Sequence, residues 1–205
     1  MAKLSKTQKQ RKLTLAEKKE RRVKIYMWLI PAIAFVIKLI TMSNTQYGAW
    51  LGADGENYTT ALDGILKDGF ASKEPRLQYW PAGYPMLLWI LVKISLTYFY
   101  ALISFVQSLF YAFASYFFTE TIRNSPLKRL AFASALLISF NPTLSLSSMA
   151  VGYESPVAAC FMIIVALMYK YQIPAKNRKF ILAVVSIGLL FALASAMQPR
   201  YMFVG

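Results

Sequence analysis

Histidine is absent from this chain of 205 residues, and cysteine occurs once, at Cys160. These gaps remove zinc sites, Cys/His nucleophile pairs and intrachain disulfides from consideration, because the ligands and partners are not there. Charge is scarce too: 16% of residues are Asp, Glu, Lys or Arg, where a soluble domain carries about 25%. Only nine residues are acidic. What chemistry the chain performs must come from carboxylates, Lys and Arg, hydroxyls or the backbone. The apolar content of 57% and mean hydropathy of +0.43 define the class expected, an all-α polytopic integral membrane protein.

The formal charge of +14 is unevenly spread, with ten of the 23 Lys and Arg lying in the first 24 residues. A basic tail directly before an apolar run reads as a cytoplasmic segment facing anionic lipids, since positive charge next to a span stays on the cytoplasmic side. Residues 1–24 contain no aromatic residue on which a base could stack, so nucleic acid is not an expected partner. Residues 25–205 form the membrane domain. The first run, residues 25–42, reads as an uncleaved signal anchor, with Lys38 near its outer end expected to snorkel toward the headgroups.

A nearly unbroken apolar stretch from Trp80 to Phe118 is too long for one crossing. If residues 81–96 crossed, the clusters Arg123/Lys128/Arg129 and Lys170/Lys176/Arg178/Lys179 would both fall away from the cytoplasm, opposite the N-terminal tail. If 81–96 instead form an interfacial or re-entrant helix, both clusters join the N-terminal tail on the cytoplasmic side, as the positive-inside rule favours. The expected spans are then 25–42, 100–122, 130–148, 157–171 and 180–197. About five transmembrane helices result, with interfacial helices in the first outer loop. Asn141-Pro142 is expected to kink the third span or open an outer loop. Five spans ending at Gly205 are what the front portion of a larger bundle is expected to show.

Five of the nine acidic residues, Asp54, Glu56, Asp63, Asp68 and Glu74, crowd into the first outer loop. There, Gly52-Ala53-Asp54-Gly55-Glu56-Asn57-Tyr58 precedes a segment with Ala61, Leu62, Ile65 and Leu66 on one face, which predicts a short amphipathic surface helix ending at Asp68-Gly69. Asp54 falls at or before its N-cap. A carboxylate there accepts backbone N–H bonds, and it can also serve as a general base toward a substrate hydroxyl. Glu56, beside it, is a second candidate contact. Asp63 and Asp68 belong to the helix's polar side and end, while Lys67, Lys73 and Arg76 balance the charge or meet a phosphate. Tyr79-Trp80-Pro81-Ala82-Gly83-Tyr84-Pro85 fixes a bend where the chain returns to the membrane. Glu154, in the turn Val151-Gly152-Tyr153-Glu154-Ser155-Pro156, is the only acidic residue after Glu120. Ionisable groups near the bilayer mark sites and pathways. Glu120 reads as a plain pair with Arg123.

Taken in order, the basic tail, the first span, the Asp-Gly-Glu-Asn-Tyr loop, the Trp-Pro-Ala-Gly-Tyr-Pro return and the Tyr-Glu-Ser-Pro turn resemble the N-terminal half of GT-C type membrane glycosyltransferases. That superfamily holds the protein O-mannosyltransferases and the aminoarabinose transferases of lipid A. The resemblance implies transfer of a sugar from a polyprenyl-phosphate carrier to an acceptor on the extracytoplasmic face. It implies Asp54 as catalytic base and Glu154 as the acidic residue of the second outer loop. Pro81, Gly83 and Tyr84 match the return near the donor site, and Arg200 resembles a basic residue placed for the carrier phosphate. Tyr79-Trp80 stand where aminoarabinose transferases carry Glu-Lys, so their donor sugar is not carried over. Asp54, Glu56 and Glu154 offer oxygen ligands, but hard cations need more than these; no cofactor is expected and no metal is assigned. A polytopic transporter or flippase, and a non-catalytic membrane subunit, are the other classes compatible with the composition.

Overall fold

The computed structural model describes residues 6–45, 48–51, 54–171 and 178–198. Among them the protein is all-helical, and the only β-type pairing is an isolated parallel bridge between Trp50 and Ala150. The helices are α1 (Lys6–Ser43), α2 (Gly55–Asp68), α3 (Pro75–Tyr79), α4 (Gly83–Ile94), α5 (Phe99–Arg123), α6 (Ala131–Ser139), α7 (Glu154–Lys170) and α8 (Arg178–Met197). Three segments are long and apolar enough to cross a membrane, Glu17–Ser43, Phe99–Arg123 and Arg178–Met197. They mark a membrane protein.

At 1.5 Å per residue, α1 is about 57 Å long, against a hydrocarbon core of about 30 Å. Its basic N-terminal turns therefore extend past the apolar part. Arg123, at the end of α5, reaches Glu20 of α1 at 3.9 Å and holds Glu120 through Nε at 2.7 Å. The basic tail and the Arg123 cluster thus share one end of the bundle. α4 has 12 residues, about 18 Å, too short to cross; it lies against α2, α5 and α8.

Of the expected spans, 130–148 is not a continuous helix. α6 stops after nine residues, because Pro142 has no N–H to give and Asn141 turns its side chain on the backbone, Oδ1 accepting from the N–H of Thr143 and Leu144 at 2.9 and 2.7 Å. A 3₁₀ turn at Leu146–Met149 follows. The expected helix 157–171 instead starts at Glu154 and has 17 residues.

Such a break exposes carbonyls that no helix satisfies, and within a membrane every backbone polar group needs a protein partner. α5 supplies them. Its buried Ser104, Ser108, Tyr111 and Ser115 recur at spacings of four, three and four and form one stripe facing the broken segment. Ser104 Oγ donates to the Met149 carbonyl at 3.0 Å, Ser108 Oγ to the Ser148 carbonyl at 3.3 Å and Tyr111 Oη to the Ile138 carbonyl at 2.9 Å. Ser115 and Ser139 pair through their hydroxyls at 2.9 Å. Ser145 Oγ turns back to the Ser139 carbonyl at 2.6 Å.

Lys38 belongs to the same seam and does not snorkel. It is 4% exposed, donates to Ser148 Oγ at 2.9 Å and lies 4.6 Å from the centre of the Tyr111 ring. Its face of α1 packs on α5 and the 3₁₀ turn, so the nearest acceptor is a hydroxyl within the bundle.

Replacing Ser104 and Ser108 together by Ala removes two of these donors. Hydrogen bonds between membrane helices contribute about 0.6 kcal/mol on average, and a buried orphaned carbonyl costs more, so the pair is expected to destabilise by about 1–2 kcal/mol. A lowered unfolding midpoint in mild detergent is the measurement.

Candidate functional site

The end of the bundle away from the basic tail gathers the first loop, the turn 149–154 and the end of α8. Trp50 N–H donates to the Met149 carbonyl at 3.0 Å, and Val151 N–H donates to the Trp50 carbonyl at 2.7 Å. This clamp ties the approach to α2 to the approach to α7, although about a hundred positions separate them in sequence. Asp54 immediately precedes α2, and Glu154 opens α7.

α2 forms where expected and ends at Gly69, whose φ of +73° is a left-handed turn that glycine adopts at little cost. Its buried face is Tyr58, Ala61, Leu62 and Ile65. Leu66, expected on that face, is 41% exposed, since Tyr58 sets the stripe one position earlier. Asp63 and Asp68 are exposed.

Tyr58 is fully buried and has edge-type contacts with three rings: Tyr84 at 4.8 Å, Trp80 at 5.3 Å and Tyr153 at 6.0 Å between centroids. Tyr84 Oη accepts from Gln107 Nε2 at 2.9 Å and from Gly152 N–H at 2.8 Å. Gln107 Nε2 also donates to the Ala150 carbonyl at 3.2 Å, which fixes the amide's orientation. Tyr84 thereby joins α4, α5 and the turn before α7. From α8, Gln198 Nε2 donates to Tyr153 Oη at 2.6 Å. Gly83 lets α4 close on α8: a Cβ there would stand 2.5 Å from the Ala196 carbonyl carbon. The bend expected at Pro81–Pro85 is thus a packing device as well as a membrane return.

Asp54 does not cap α2 through its side chain. Its backbone (φ −105°, ψ 0°) lies away from the extended geometry of a capping residue, and no cap hydrogen bond forms. Among the described residues, neither the Asp54 nor the Glu154 carboxylate has a hydrogen-bond or ion-pair partner. Asp54 is half-buried, Glu154 exposed. Glu154 turns back over Gly152, where a built Cβ would meet its Oε2.

Burial first, then Tyr153, and after it the negative charges of Glu154 and Asp54 and the Tyr84 phenol, push the Tyr58 phenol above the ordinary range. Tyr84 is also pushed up by burial, while its hydrogen bonds from Gly152 and Gln107 oppose the shift. Both phenols stay protonated at neutral pH.

The other expected contacts stand apart from this pair. Glu56 is exposed on α2. Arg76 Nη1 pairs with Glu74 Oε1 at 3.5 Å, and Glu74 caps α3 by accepting from Arg76 N–H at 3.4 Å. Arg200 lies outside the described residues. Among the described residues, no group of three or more His, Cys, Asp or Glu could hold a metal ion. Gln107 and Tyr58 escaped the sequence reading. Gln107 was visible as an amide beside the serine stripe of an apolar helix, and Tyr58 as an aromatic residue one turn after Asp54.

Comparison with protein-family models, curated proteins and solved structures finds no match.

Tyr84→Phe would leave the Gly152 N–H without an acceptor and strip Gln107 of one. A buried donor left unpaired costs about 1–3 kcal/mol, and a correspondingly lower thermal midpoint of the purified protein is expected.

Proposed function

We propose that this protein is a membrane glycosyltransferase of the GT-C type, moving a sugar from a polyprenyl-phosphate carrier to an acceptor hydroxyl on the extracytoplasmic face. The observation that carries the reading is that Asp54 and Glu154, remote in sequence, stand at the starts of α2 and α7, whose approaches the Trp50 clamp ties together, and that neither carboxylate has a partner among the described residues. The seam between α5 and the broken segment engages its hydroxyls with backbone, whereas these two carboxylates are unused among the described residues. Unspent polar groups of this kind are expected at sites of chemistry.

In this reading Asp54 takes the proton of the acceptor hydroxyl as the acceptor oxygen bonds to the anomeric carbon, and the carrier phosphate leaves with the electron pair of the broken C–O bond. Glu154 holds the sugar or acceptor across from it. Tyr84 keeps the two loops in register, while Glu56, Arg76 and Arg200 remain proposed substrate contacts, the arginines toward phosphate. The chain crosses the membrane about five times: α1, α5, the broken segment 131–149, α7 and α8. Its N-terminus is cytoplasmic, and the basic turns of α1 lie against anionic lipid headgroups.

One observation favours a second reading. Broken spans and buried charge are features of transporters, and residues 131–149 and Lys38 supply both. Their hydroxyls and amine are, however, engaged with one another and with backbone, whereas the unengaged groups lie at the bundle's end.

Two measurements test the proposal. Asp54→Asn is expected to reduce sugar transfer at least a hundredfold while the protein still inserts and folds; unchanged transfer removes Asp54 from the chemistry. For topology, cysteines placed at the exposed Lys73 and Lys128 should differ toward an impermeant maleimide, Lys73→Cys reacting in intact cells and Lys128→Cys only after permeabilisation. Labelling of both from one face contradicts the arrangement.

A further inference from the structure

Two tyrosines meet edge to face at the centre of the site, and the fold treats them differently. Tyr84 Oη takes hydrogen bonds from two donors. Tyr58 Oη, also buried, has no hydrogen-bond partner among the described residues. A hydroxyl kept from water with nothing to bond costs about 1–3 kcal/mol against the same ring without it. Phenylalanine at 58 would keep the ring contacts with Trp80, Tyr84 and Tyr153 and avoid that cost. Folding alone therefore gives no reason for the oxygen.

Its surroundings supply one. The charged groups facing Tyr58 are Asp54, from the turn before its own helix, and Glu154, from the start of α7; the remaining titratable neighbours are Tyr84 of α4 and Tyr153. The two carboxylates only accept hydrogen bonds, whereas each hydroxyl of a sugar both donates and accepts. A pair of acceptors binding a polyol is incomplete without a donor beside it. Tyr58, held protonated by burial and by those same negative charges, is that donor. Trp80 and Tyr153, both half-buried, add the aromatic surface on which the apolar side of a sugar ring rests. Glu154 is exposed and, among the described residues, unpartnered, so its side chain is free to turn toward a ligand.

We propose that Tyr58 is a specificity-determining residue, its hydroxyl reserved to donate a hydrogen bond to an oxygen of the bound glycosyl group between Asp54 and Glu154. This role rests on the transferase reading above but is separable from it by experiment. The full chain in detergent is titrated with short-chain polyprenyl phosphate and with the same lipid bearing mannose, glucose or arabinose, and thermal midpoint and affinity are recorded.

For the wild type, one sugar-bearing lipid is expected to bind at least tenfold more tightly than the bare phosphate. Tyr58→Phe is expected to melt no lower than the wild type, to bind the bare phosphate equally, and to lose most of the gain due to the sugar. Tyr84→Phe serves as the structural comparison, with a lowered midpoint. If Tyr58→Phe keeps the full gain, or unfolds as readily as Tyr84→Phe, the role assigned to Tyr58 is wrong while the transferase stands. If the wild type gains nothing from any of the three sugars, the role and the transferase reading fail together.

Discussion

The hydroxyl stripe of α5 is the feature on which the rest of the molecule depends. A helix broken by Asn141-Pro142 inside an apolar bundle leaves carbonyls that neither water nor lipid can satisfy. Ser104, Ser108 and Tyr111 donate to three of them, at Met149, Ser148 and Ile138. Lys38 joins from α1 through Ser148. Without these donors the carbonyls of the broken segment would be left unpaired, and the turn that leads to Glu154 would lose its anchor.

From that anchored segment the geometry of the site follows by short steps. The 3₁₀ turn delivers Met149 and Val151 to Trp50, and this clamp sets the end of the first loop beside the start of α7. Tyr84 then locks the arrangement from below, since its oxygen is shared by an amide of α5 and a backbone N–H of the turn. Gly83 lets α4 approach the backbone of α8 closely enough for this. The platform at Asp54 and Glu154 is therefore hydrogen-bonded, while the two carboxylates are not committed to any described residue. A supported base with free functional groups is the division expected of a binding or catalytic site.

Much of the fold was legible in the sequence. Hydropathy located the long helices at residues 25–42, 100–122 and 180–197, because lipid solvation demands runs of apolar residues of fixed length. The helix over Gly55–Asp68 followed from periodicity and from Gly69, and the placement of the basic tail with Arg123 followed from charge. Leu66 misled because periodicity alone cannot say which of two adjacent apolar positions leads the stripe until a partner is known, and the partner here is the Tyr84–Trp80–Tyr153 group. Lys38 misled because snorkelling assumes that lipid surrounds the side chain, whereas Ser148 and the Tyr111 ring were brought there by residues more than seventy positions away.

The sequence by itself determined the solvent of this protein, the chemistry left to it and the residues worth suspecting, since composition and hydrophobic length are local quantities. Tertiary structure alone decided which suspects meet. It tied the approaches to Asp54 and Glu154 together through Trp50, left Glu56 at the surface and gave Arg76 to Glu74. It also distinguished two neighbouring tyrosines, one bonded twice and the other, among the described residues, not bonded. That difference depends on Gln107 and Gly152 reaching across the bundle, and hydrogen bonds between distant segments leave no periodicity for a sequence to display.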